Sequence, residues 1–575
     1  MPTARAALWR AVPVLLLLAL YWPGLNTWFF QDDFGWLNLR RDVHSARDLG
    51  NALFAPKAHG NMRPLGENAY WLGLSSLFGP DPLPFHVTSF LTQAGSLLLL
   101  GAIVRRMLHS DWAAFGAQIL WTVNIGLAPA LGWSSIFNQI LSGFFFLLAF
   151  YFLLRHVETG HRSDWVAHWI AFVLGLGALE INVVYPAIAA VYAFLHAPAL
   201  VKRILPMFAV SATAVLVHFH FAPAASSGAY APRIDARVFS TAWTYWRWAL
   251  GPVPLWTALL LSLAVCGLIG WAIQRKRYVV LVCLAWFLLP LLPYLPLPEH
   301  RMDYYLAVPA IGLAMLGAFA IAQWRQLGVA GRVVAAICLA VYAAASARAA
   351  VTVTNWQYAR GERVADLVLG VAGVHRSAPR EIVLLENIDN DLFSSAIADL
   401  PFRALEIPRV YLAPGSGHAL YELPAAIARR ALDAGRAQVY RFDRDRLHRT
   451  SGAELPREDA PHLINLADSV FQDYFGTGWR EVPGGYREMN GRAAVRIGAP
   501  RSSAEHLYIG VFETRNLSLR VQANRVELPV TLEARGNDLT EYRATLPPAF
   551  IGSREIDVTL QSDRSPLLFG YLQVR

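Results

Sequence analysis

The chain has 575 residues, a mean hydropathy of +0.35 and 16% charged residues, against about 25% in a soluble protein. The net charge of +9 belongs wholly to residues 1–351, which hold 23 Lys+Arg and 13 Asp+Glu, while residues 352–575 hold 27 and 28. A basic excess confined to apolar sequence excludes a water-soluble class, argues against nucleic acid, and points to membrane topology and lipid headgroups.

The first apolar run, "AVPVLLLLALYWPGLNTWFF", covers 11–30 behind Arg5 and Arg10. No small-residue cleavage site follows, so the expectation is an uncleaved first span. Ten more spans are expected near 86–104, 112–131, 136–154, 165–180, 183–198, 204–222, 255–273, 279–297, 304–323 and 332–350. A re-entrant pair near 165–198 is the alternative for the two short ones. Arg105/Arg106, Arg155/Arg162, Lys202/Arg203, Gln274–Arg277 and Arg325/Arg332 fall in one alternating set of connections. The positive-inside rule puts that set and the amino terminus in the cytoplasm. Residues 31–85, 132–135, 181–182, 223–254, 298–303 and 352–575 then face outward, and the expected location is a bacterial inner membrane with a periplasmic or extracellular tail. Cys266, Cys283 and Cys338 lie in apolar runs and read as apolar filler, with no disulfide framework or thiolate metal set.

The stretch "QDDFGWL" sets Asp32 and Asp33 at the outer rim of the first span, opening the large loop 31–85. Adjacent residues point in different directions in helix or strand, so the two acids are expected to divide roles. Further along that loop, "NAYWLGLSSLFG" (68–79) has the spacing of a helix lying in the interface. Arg63 lies just before it, Glu180 at a later outer turn, His218 and His220 at the outer end of the seventh span, and Arg301 in "PEHRMDYYLAVPAIG". Acids and bases thus converge on one face. Each also has a structural reading: the aspartates as a helix cap, Arg63-Pro64 as a helix-start device, Glu180 as a turn residue, Arg301 as a headgroup anchor, the histidines as core or interfacial rings, and Asp303 as an arginine partner.

In the tail, "REIVLLE", "RVYLA" and "AQVYRFD" read as strands, with helices at "NWQYARGERVADLVLGV", "LFSSAIADL" and "LPAAIARRALDAG". They make an α/β unit over about 355–442. From about 490, alternation such as Leu519, Val521 and Ala523 against Arg520 and Gln522 indicates antiparallel strands of a β-sandwich. The expected organisation is a transmembrane domain (1–351), an α/β region (352–480) and a sandwich-like domain (481–575). The sandwich would either contact carbohydrate or serve in packing. No GxxxxGK[ST], HExxH or GxSxG sequence is present, so nucleotide-driven pumping and the common hydrolase mechanisms lack support.

The double acid after the first span, followed by "MRPL" and "LFGPDPLPFH", resembles the GT-C superfamily of membrane glycosyltransferases, and is especially similar to protein O-mannosyltransferase-like members. "ILSGFFFLLAF" and "EHRMDYYLAVPAIG" resemble later landmarks. "LEINVVYPAIAAVY" resembles a Lys-Glu…Pro span with Leu179 in place of the lysine. The resemblance covers roughly 10–350, and the tail departs from the tetratricopeptide-bearing relatives. It implies a polyprenyl-phosphate-linked sugar as donor, transfer of a hexose or pentose to a glycan, lipid or protein hydroxyl on the outer side, and membrane lipids as partners. Asp32 would be the general base. Asp33 would bind the acceptor, a cation or a metal. Arg301, with Arg63 and His300 behind it, would hold the donor phosphate. Glu180, His218 and His220 would lie at the acceptor or support the site. A divalent ion, magnesium or manganese, would rest on Asp32 or Asp33 if the reaction uses one. The competing readings are a transporter or flippase of lipid-linked glycans and a non-catalytic envelope protein that binds glycan.

Overall fold

The computed structural model describes residues 4–57, 61–222, 228–456, 458–482, 487–513, 517–535 and 539–575, with side chains described from Ala11 onward. The side chains of Arg5 and Arg10 therefore lie outside the described set. The chain divides into two compact units, residues 1–364 and 365–575. The boundary expected at 351/352 and the observed one fall inside the same helix.

Unit 1 is helical. The first span is α1 (Ala4–Leu25), and the large loop carries α2 (Asp33–Asn38), α3 (Ala46–Phe54) and α4 (Tyr70–Phe78). The bundle continues with α5 (Leu83–Leu108), α6 (Asp111–Thr122), α7 (Leu127–Gly132), α8 (Phe137–Thr159), α9 (Arg162–Ala178), α10 (Tyr185–His196) and α11 (Val201–Phe221). After α12 (Arg237–Ala249) come α13 (Leu255–Gln274), α14 (Val279–Leu291), α15 (Ala310–Ala322) and α16 (Val329–Ser377). Among the described residues, five helices, beginning at Leu83, Ser134, Pro198, Leu255 and Val329, are by length and composition apolar enough to cross a bilayer. Leu98, Leu216, Leu263 and Val333 stand exposed on them, as a lipid-facing surface requires. This is an integral membrane protein. Each of the eleven expected spans overlaps a helix.

Three expectations need correction. The span expected at 112–131 is broken, because Asn124 turns its side chain onto the backbone: its Oδ1 accepts from Gly126 N at 3.0 Å, and its Nδ2 donates to Tyr342 Oη at 2.9 Å. Such local bonding competes with the helix ladder. The last span does not stop near 350, since α16 runs unbroken to Ser377. The helix at 68–79 is present, but protein covers much of the apolar face expected at the interface. Tyr70 and Trp71 are buried, Tyr70 stacking on Phe137 at 4.0 Å and Trp71 packing on Phe85 at 4.8 Å, while Leu77 and Phe78 at its far end are exposed.

In unit 2, β1 (Ile382–Glu386) is followed by the short helices α17 (Asn390–Leu392) and α18 (Pro401–Ala404). Then come β2 (Val410–Leu412), α19 (Ala425–Asp433), β3 (Ala437–Asp443) and β4 (Arg446–Thr450). The sheet order is β2-β1-β3-β4, with β1 parallel to both neighbours: Leu384 pairs with Tyr411 and Val439. Ile382–Leu385 are all buried, as a central parallel strand demands. Strand β4 was not expected. It returns through Arg444 and Asp445, both at positive φ (47° and 58°), a two-residue turn of the kind usually announced by Asn-Gly. Beyond β2, the Glu422 carboxylate accepts from the backbone N–H of Gly415, Gly417 and His418 at 2.8–3.0 Å and from Ser416 Oγ at 2.8 Å.

The rest of unit 2 is the expected sandwich. Its strands are β5 (Leu463–Asn465), β6 (Trp479–Glu481), β7 (Arg487–Met489), β8 (Arg492–Gly498), β9 (Leu507–Val511), β10 (Leu519–Ala523), β11 (Val526–Leu528), β12 (Val530–Arg535), β13 (Thr540–Ala544), β14 (Glu555–Ser562) and β15 (Leu567–Val574). One sheet has the order β11-β10-β14-β8. The other runs β12-β13-β9-β15-β7-β6, with β5 on β15. Val495, Val521, Val558, Ile509, Val511 and Phe569 share one core between the sheets. Strand pairing enters the sandwich at 463, ahead of the expected 481.

The turn Pro64–Ala69, just before α4, is π-helical, a form that tends to occur at functional sites. Gly66 makes it fit: a Cβ there would lie 2.1 Å from the Ala178 carbonyl oxygen at the end of α9. Gly66→Ala is expected to force the turn off α9 at a cost of about 1–3 kcal/mol, lowering the thermal midpoint in detergent. Gly73→Ala, which meets nothing within 4 Å, should leave it unchanged, and equal midpoints for the two variants would refute this account.

Candidate active site

The site is built from the chain that leaves α1. His86, at the start of α5, bridges two elements: its Nε2 lies 2.9 Å from Thr27 O and its Nδ1 3.3 Å from Leu131 O in α7. Phe29 packs edge-on against Phe85 at 5.3 Å. Phe30 stacks on Trp133 at 5.6 Å. The "PLPFH" segment thus clamps residues 27–30. The chain then turns at Gln31, which adopts φ 53°, a left-handed conformation uncommon for a non-glycine residue. From this turn α2 begins, with Asp32 in the N-cap position.

The turn sends the two aspartates to opposite environments. Asp32 is exposed and makes no capping hydrogen bond with its side chain, so the cap reading fails for it. Asp33 is 1% exposed. Its Oδ1 accepts from Ser135 N at 2.9 Å and Ser135 Oγ at 2.6 Å, and its Oδ2 accepts from Phe30 N at 3.2 Å. Burial pushes the Asp33 carboxyl up to about 8, opposed by the donors on Ser135 and Phe30, with the neighbouring Asp32 charge adding to the rise. Three protein donors occupy most of the acceptor capacity of its two oxygens. Among the described residues, no group of three or more His, Cys, Asp or Glu could hold a metal ion.

A second cluster lies at the π-helical turn. Arg63 Nε donates to both oxygens of Glu180, at 2.9 and 2.8 Å, and Nη1 donates to Glu67. Glu67 also accepts from Asn138 Nδ2 at 2.7 Å. Two carboxylates thus bracket one guanidinium. Burial raises the Glu67 carboxyl above the usual range, against the pull of Arg63. Arg63 and Glu180 come together as an ion pair across the loop, which leaves Arg63 committed to acids. Leu179, where the resembling family has lysine, is buried and contributes no charge.

An aromatic wall joins the two clusters. Trp133 meets Tyr304 at 6.3 Å, Tyr304 meets Tyr305 at 4.8 Å, and Tyr305 stacks on Tyr294 at 3.8 Å. His300 is buried in this wall, 4.2 Å from the Tyr230 ring and 5.9 Å from Tyr305. Burial lifts the Tyr230 phenol above its usual value. The Asp32 charge adds to that rise and Arg63 opposes it, so both charges act on one hydroxyl. Asp303, beside the wall, is raised to about 6 by burial against two backbone hydrogen bonds.

Asp32, Asp33, Arg63, Glu180 and His300 therefore gather around one rim. Arg301 follows His300 in the chain; it is exposed, and its Nη1 donates to Thr244 Oγ1 on α12 at 3.2 Å. His218 and His220 end α11, and their ring partners among the described residues are Phe219 and Phe221. Sequence reasoning missed Ser135, Glu67, Asn138 and Arg360. Glu67 carried a signal, four residues after Arg63. Arg360 carried none, sitting in the helix assigned to the tail. Its Nη1 donates to Gln31 Oε1 at 3.1 Å, and its guanidinium lies 5.6 Å from the Phe30 ring centre and 5.2 Å from that of Trp356.

No protein-family model and no curated protein matches the chain. Among solved structures, it is similar to ArnT from Cupriavidus metallidurans bound to undecaprenyl phosphate, with 12% identity, a TM-score of 0.45, and 77% of this chain and 94% of that one covered. It is similar to the arabinofuranosyltransferase AftD from Mycobacteria at 13% identity and a TM-score of 0.46, over 99% of this chain and 58% of that one. It is also similar to the Archaeoglobus fulgidus oligosaccharyltransferase in the apo form, at 9% identity and a TM-score of 0.43, over 98% and 96%. Likeness at these values is no argument for an activity, which rests on the residues above.

The Asp33 carboxyl sets a pH dependence. Its folded value near 8 lies above the unfolded value near 4, so the folded state holds more protons between those limits and stability falls as pH rises through them. From pH 6 to 8 the wild type should lose stability, with up to about 1.4 kcal/mol per pH unit from this group. Asp33→Asn should flatten the slope measured by thermal unfolding in detergent. An unchanged slope would show that Asp33 is ionised in the fold.

Proposed function

We propose that the chain is an integral-membrane glycosyltransferase that moves a sugar from a polyprenyl-phosphate-linked donor to an acceptor hydroxyl on the non-cytoplasmic side, with Asp32 as general base. One observation carries this reading: the adjacent aspartates are split, Asp33 buried on three donors and Asp32 exposed at an aromatic rim. A helix cap has no use for that split, whereas a base needs a rigidly held carboxylate open to substrate. The resemblance of the "DD", "MRPL" and "LFGPDPLPFH" segments to GT-C enzymes supports the same reading.

Asp32 takes the proton of the acceptor hydroxyl as its oxygen bonds to the anomeric carbon. The bond from that carbon to the phosphate oxygen breaks, and the lipid phosphate departs with the electron pair. A phosphate needs no general acid to leave, so one carboxylate suffices where glycoside hydrolysis uses two. Asp33 positions the turn. Glu67 and Glu180 hold Arg63 and with it the π-helical turn, and the aromatic wall beside them offers a binding surface for sugar. No step is routed through a metal ion. A transporter would place its charges near the membrane midplane, and the acidic clusters here sit in the loop and turns instead.

Asp32→Asn keeps the shape and removes the base, so transfer to a hydroxyl acceptor should fall by about 10²–10⁴-fold while the protein still inserts and unfolds at the wild-type temperature. Mass analysis of envelope glycans from cells carrying the variant provides the readout, and near-full transfer would exclude Asp32 as base. The proposed orientation places both Asp32 and residue 575 outside. A reporter fused after Arg575 should be active only on the non-cytoplasmic side, and cytoplasmic activity would invert the topology.

A further inference from the structure

A cleft in unit 1 takes no part in the proposed reaction. It is a cavity of about 420 Å³ between α13, α15 and α16, within the roughly 300–1,000 Å³ of ordinary ligand pockets. Its walls are apolar, with Leu268 and Trp271 from α13, Leu316 from α15, and Val334 and Leu339 from α16. At one end α13 and α16 are joined by a small core of Leu250, Ala258 and Leu261, with Cys338 and Val341 packed on it. From there the cleft runs to Leu327 and Gly328, at the start of α16. Between Ala330 and Tyr342 it follows α16 for about 18 Å, close to one leaflet of a hydrocarbon layer about 30 Å thick.

Cations crowd the end at Leu327. Arg275, Lys276 and Arg277 follow Trp271 by about one turn, and Arg325 and Arg332 flank Leu327. Arg332 Nε donates to Leu327 O at 2.9 Å and Arg277 Nη2 to Gln326 Oε1 at 3.4 Å, so the two turns meet at the mouth. Among the described residues, no carboxylate pairs with any of these five. Arg105, Arg106 and Arg155, on the side expected to be cytoplasmic, differ: they bond Asp111, Glu158 and Asp164 at 2.5–3.3 Å. Between Asp235 and Glu362 the chain holds two acids, Glu299 and Asp303, and Asp303 lies beside the aromatic wall. The counter-charge at the mouth must therefore come from outside the chain. Depth separates this mouth from the aspartates. A Cβ at Gly361 would come within 2.9 Å of Trp28 N and O, next to the Asp32 turn. Arg332 lies about 44 Å back along α16, the span of a bilayer with its headgroup layers, about 40–45 Å. The cleft thus opens into the leaflet opposite the Asp32 rim.

We infer that the cleft holds one acyl tail of an anionic diacyl phospholipid from that leaflet, with its phosphate bound among Arg277, Arg332 and the neighbouring cations. Basic openings between membrane helices suit such headgroups, and a guanidinium pairs with two phosphate oxygens through its planar fork. The tail fills space that the three helices do not close, and the phosphate supplies the charge the mouth lacks. The polyprenyl donor of the proposed reaction is a different ligand, because its phosphate belongs at the Asp32 rim on the other side.

The test uses the full chain in detergent, titrated with phosphatidylglycerol or phosphatidylcholine and read by native mass spectrometry. The wild type should retain one phosphatidylglycerol about tenfold more tightly than phosphatidylcholine. Arg275→Gln combined with Arg325→Gln removes two exposed cations and should weaken phosphatidylglycerol about 10- to 30-fold, as expected for two basic side chains at a lipid surface. Gly267→Leu leaves every cation in place and puts a side chain into the cleft, where a Cβ meets nothing within 4 Å. It should weaken phosphatidylglycerol about tenfold, as two methylenes lose their place. If phosphatidylcholine binds as tightly, or the double variant holds phosphatidylglycerol like wild type, the mouth is no anion site and the inference fails. If Gly267→Leu binds like wild type, the lipid lies outside the cleft, and the inference fails equally. A short polyprenyl monophosphate that displaces phosphatidylglycerol at equal concentration would make the cleft a donor site and overturn it. Should one variant not fold, the other decides. None of these outcomes depends on the transferase reading.

Discussion

Taking a carboxylate out of water costs several kcal/mol unless protein donors replace the water it loses. Asp33 meets that demand in part, with the backbone and hydroxyl of Ser135 and the amide of Phe30, and burial still raises its carboxyl to about 8. The two Ser135 bonds tie the end of the first span to the segment that leads into α8, and the Phe30 bond closes the turn itself. They fix Phe30 against Trp133, and they make the left-handed step at Gln31 tolerable, because the turn is held on both sides. Asp32 is exposed as a result. With the neighbouring carboxylate committed inward, the chain direction leaves the other pointing out. The division of the pair is thus a product of burial, and only then a chemical opportunity.

The Arg63 cluster obeys a related rule with the signs reversed. Arg63 is half-buried and satisfied by two acids, one of them nearly inaccessible and also bonded to Asn138. Removing one partner of such a cluster leaves charge without compensation, which costs about 3–5 kcal/mol where the pair is buried. The discount for partial exposure of Glu180 is large, and Glu67 is the member whose loss would be felt most. The cluster is therefore better suited to holding the π-helical turn against α9 than to exchanging partners with a substrate.

Much of this was legible in the chain, for identifiable reasons. Apolar runs are long and local, so the helices of unit 1 appear where the sequence places them. The strands at 382, 410 and 437 show both β-rich composition and flanking turns. The divergence of Asp32 and Asp33 follows from backbone geometry alone. What failed to show depends on tertiary contact. Ser135 is an ordinary serine until the loop folds onto it. Arg360 lies in a stretch that reads as a tail helix, and only the unbroken course of α16 carries it to residue 31. The break at Asn124 needs Tyr342, more than two hundred residues away.

The Glu422 contacts bear on what the α/β unit of the tail can recognise. Consecutive backbone amides after a parallel strand make an anion cradle, the sort of concavity that receives phosphate in many open sheets. Here the cradle is already filled by the chain's own carboxylate, with four donors directed at it. A phosphorylated visitor would have to evict a tethered competitor present at high effective concentration. This end of the sheet is thereby closed to nucleotides and lipid phosphates alike. Any anion taken there would first have to displace the Glu422 carboxylate from these four donors.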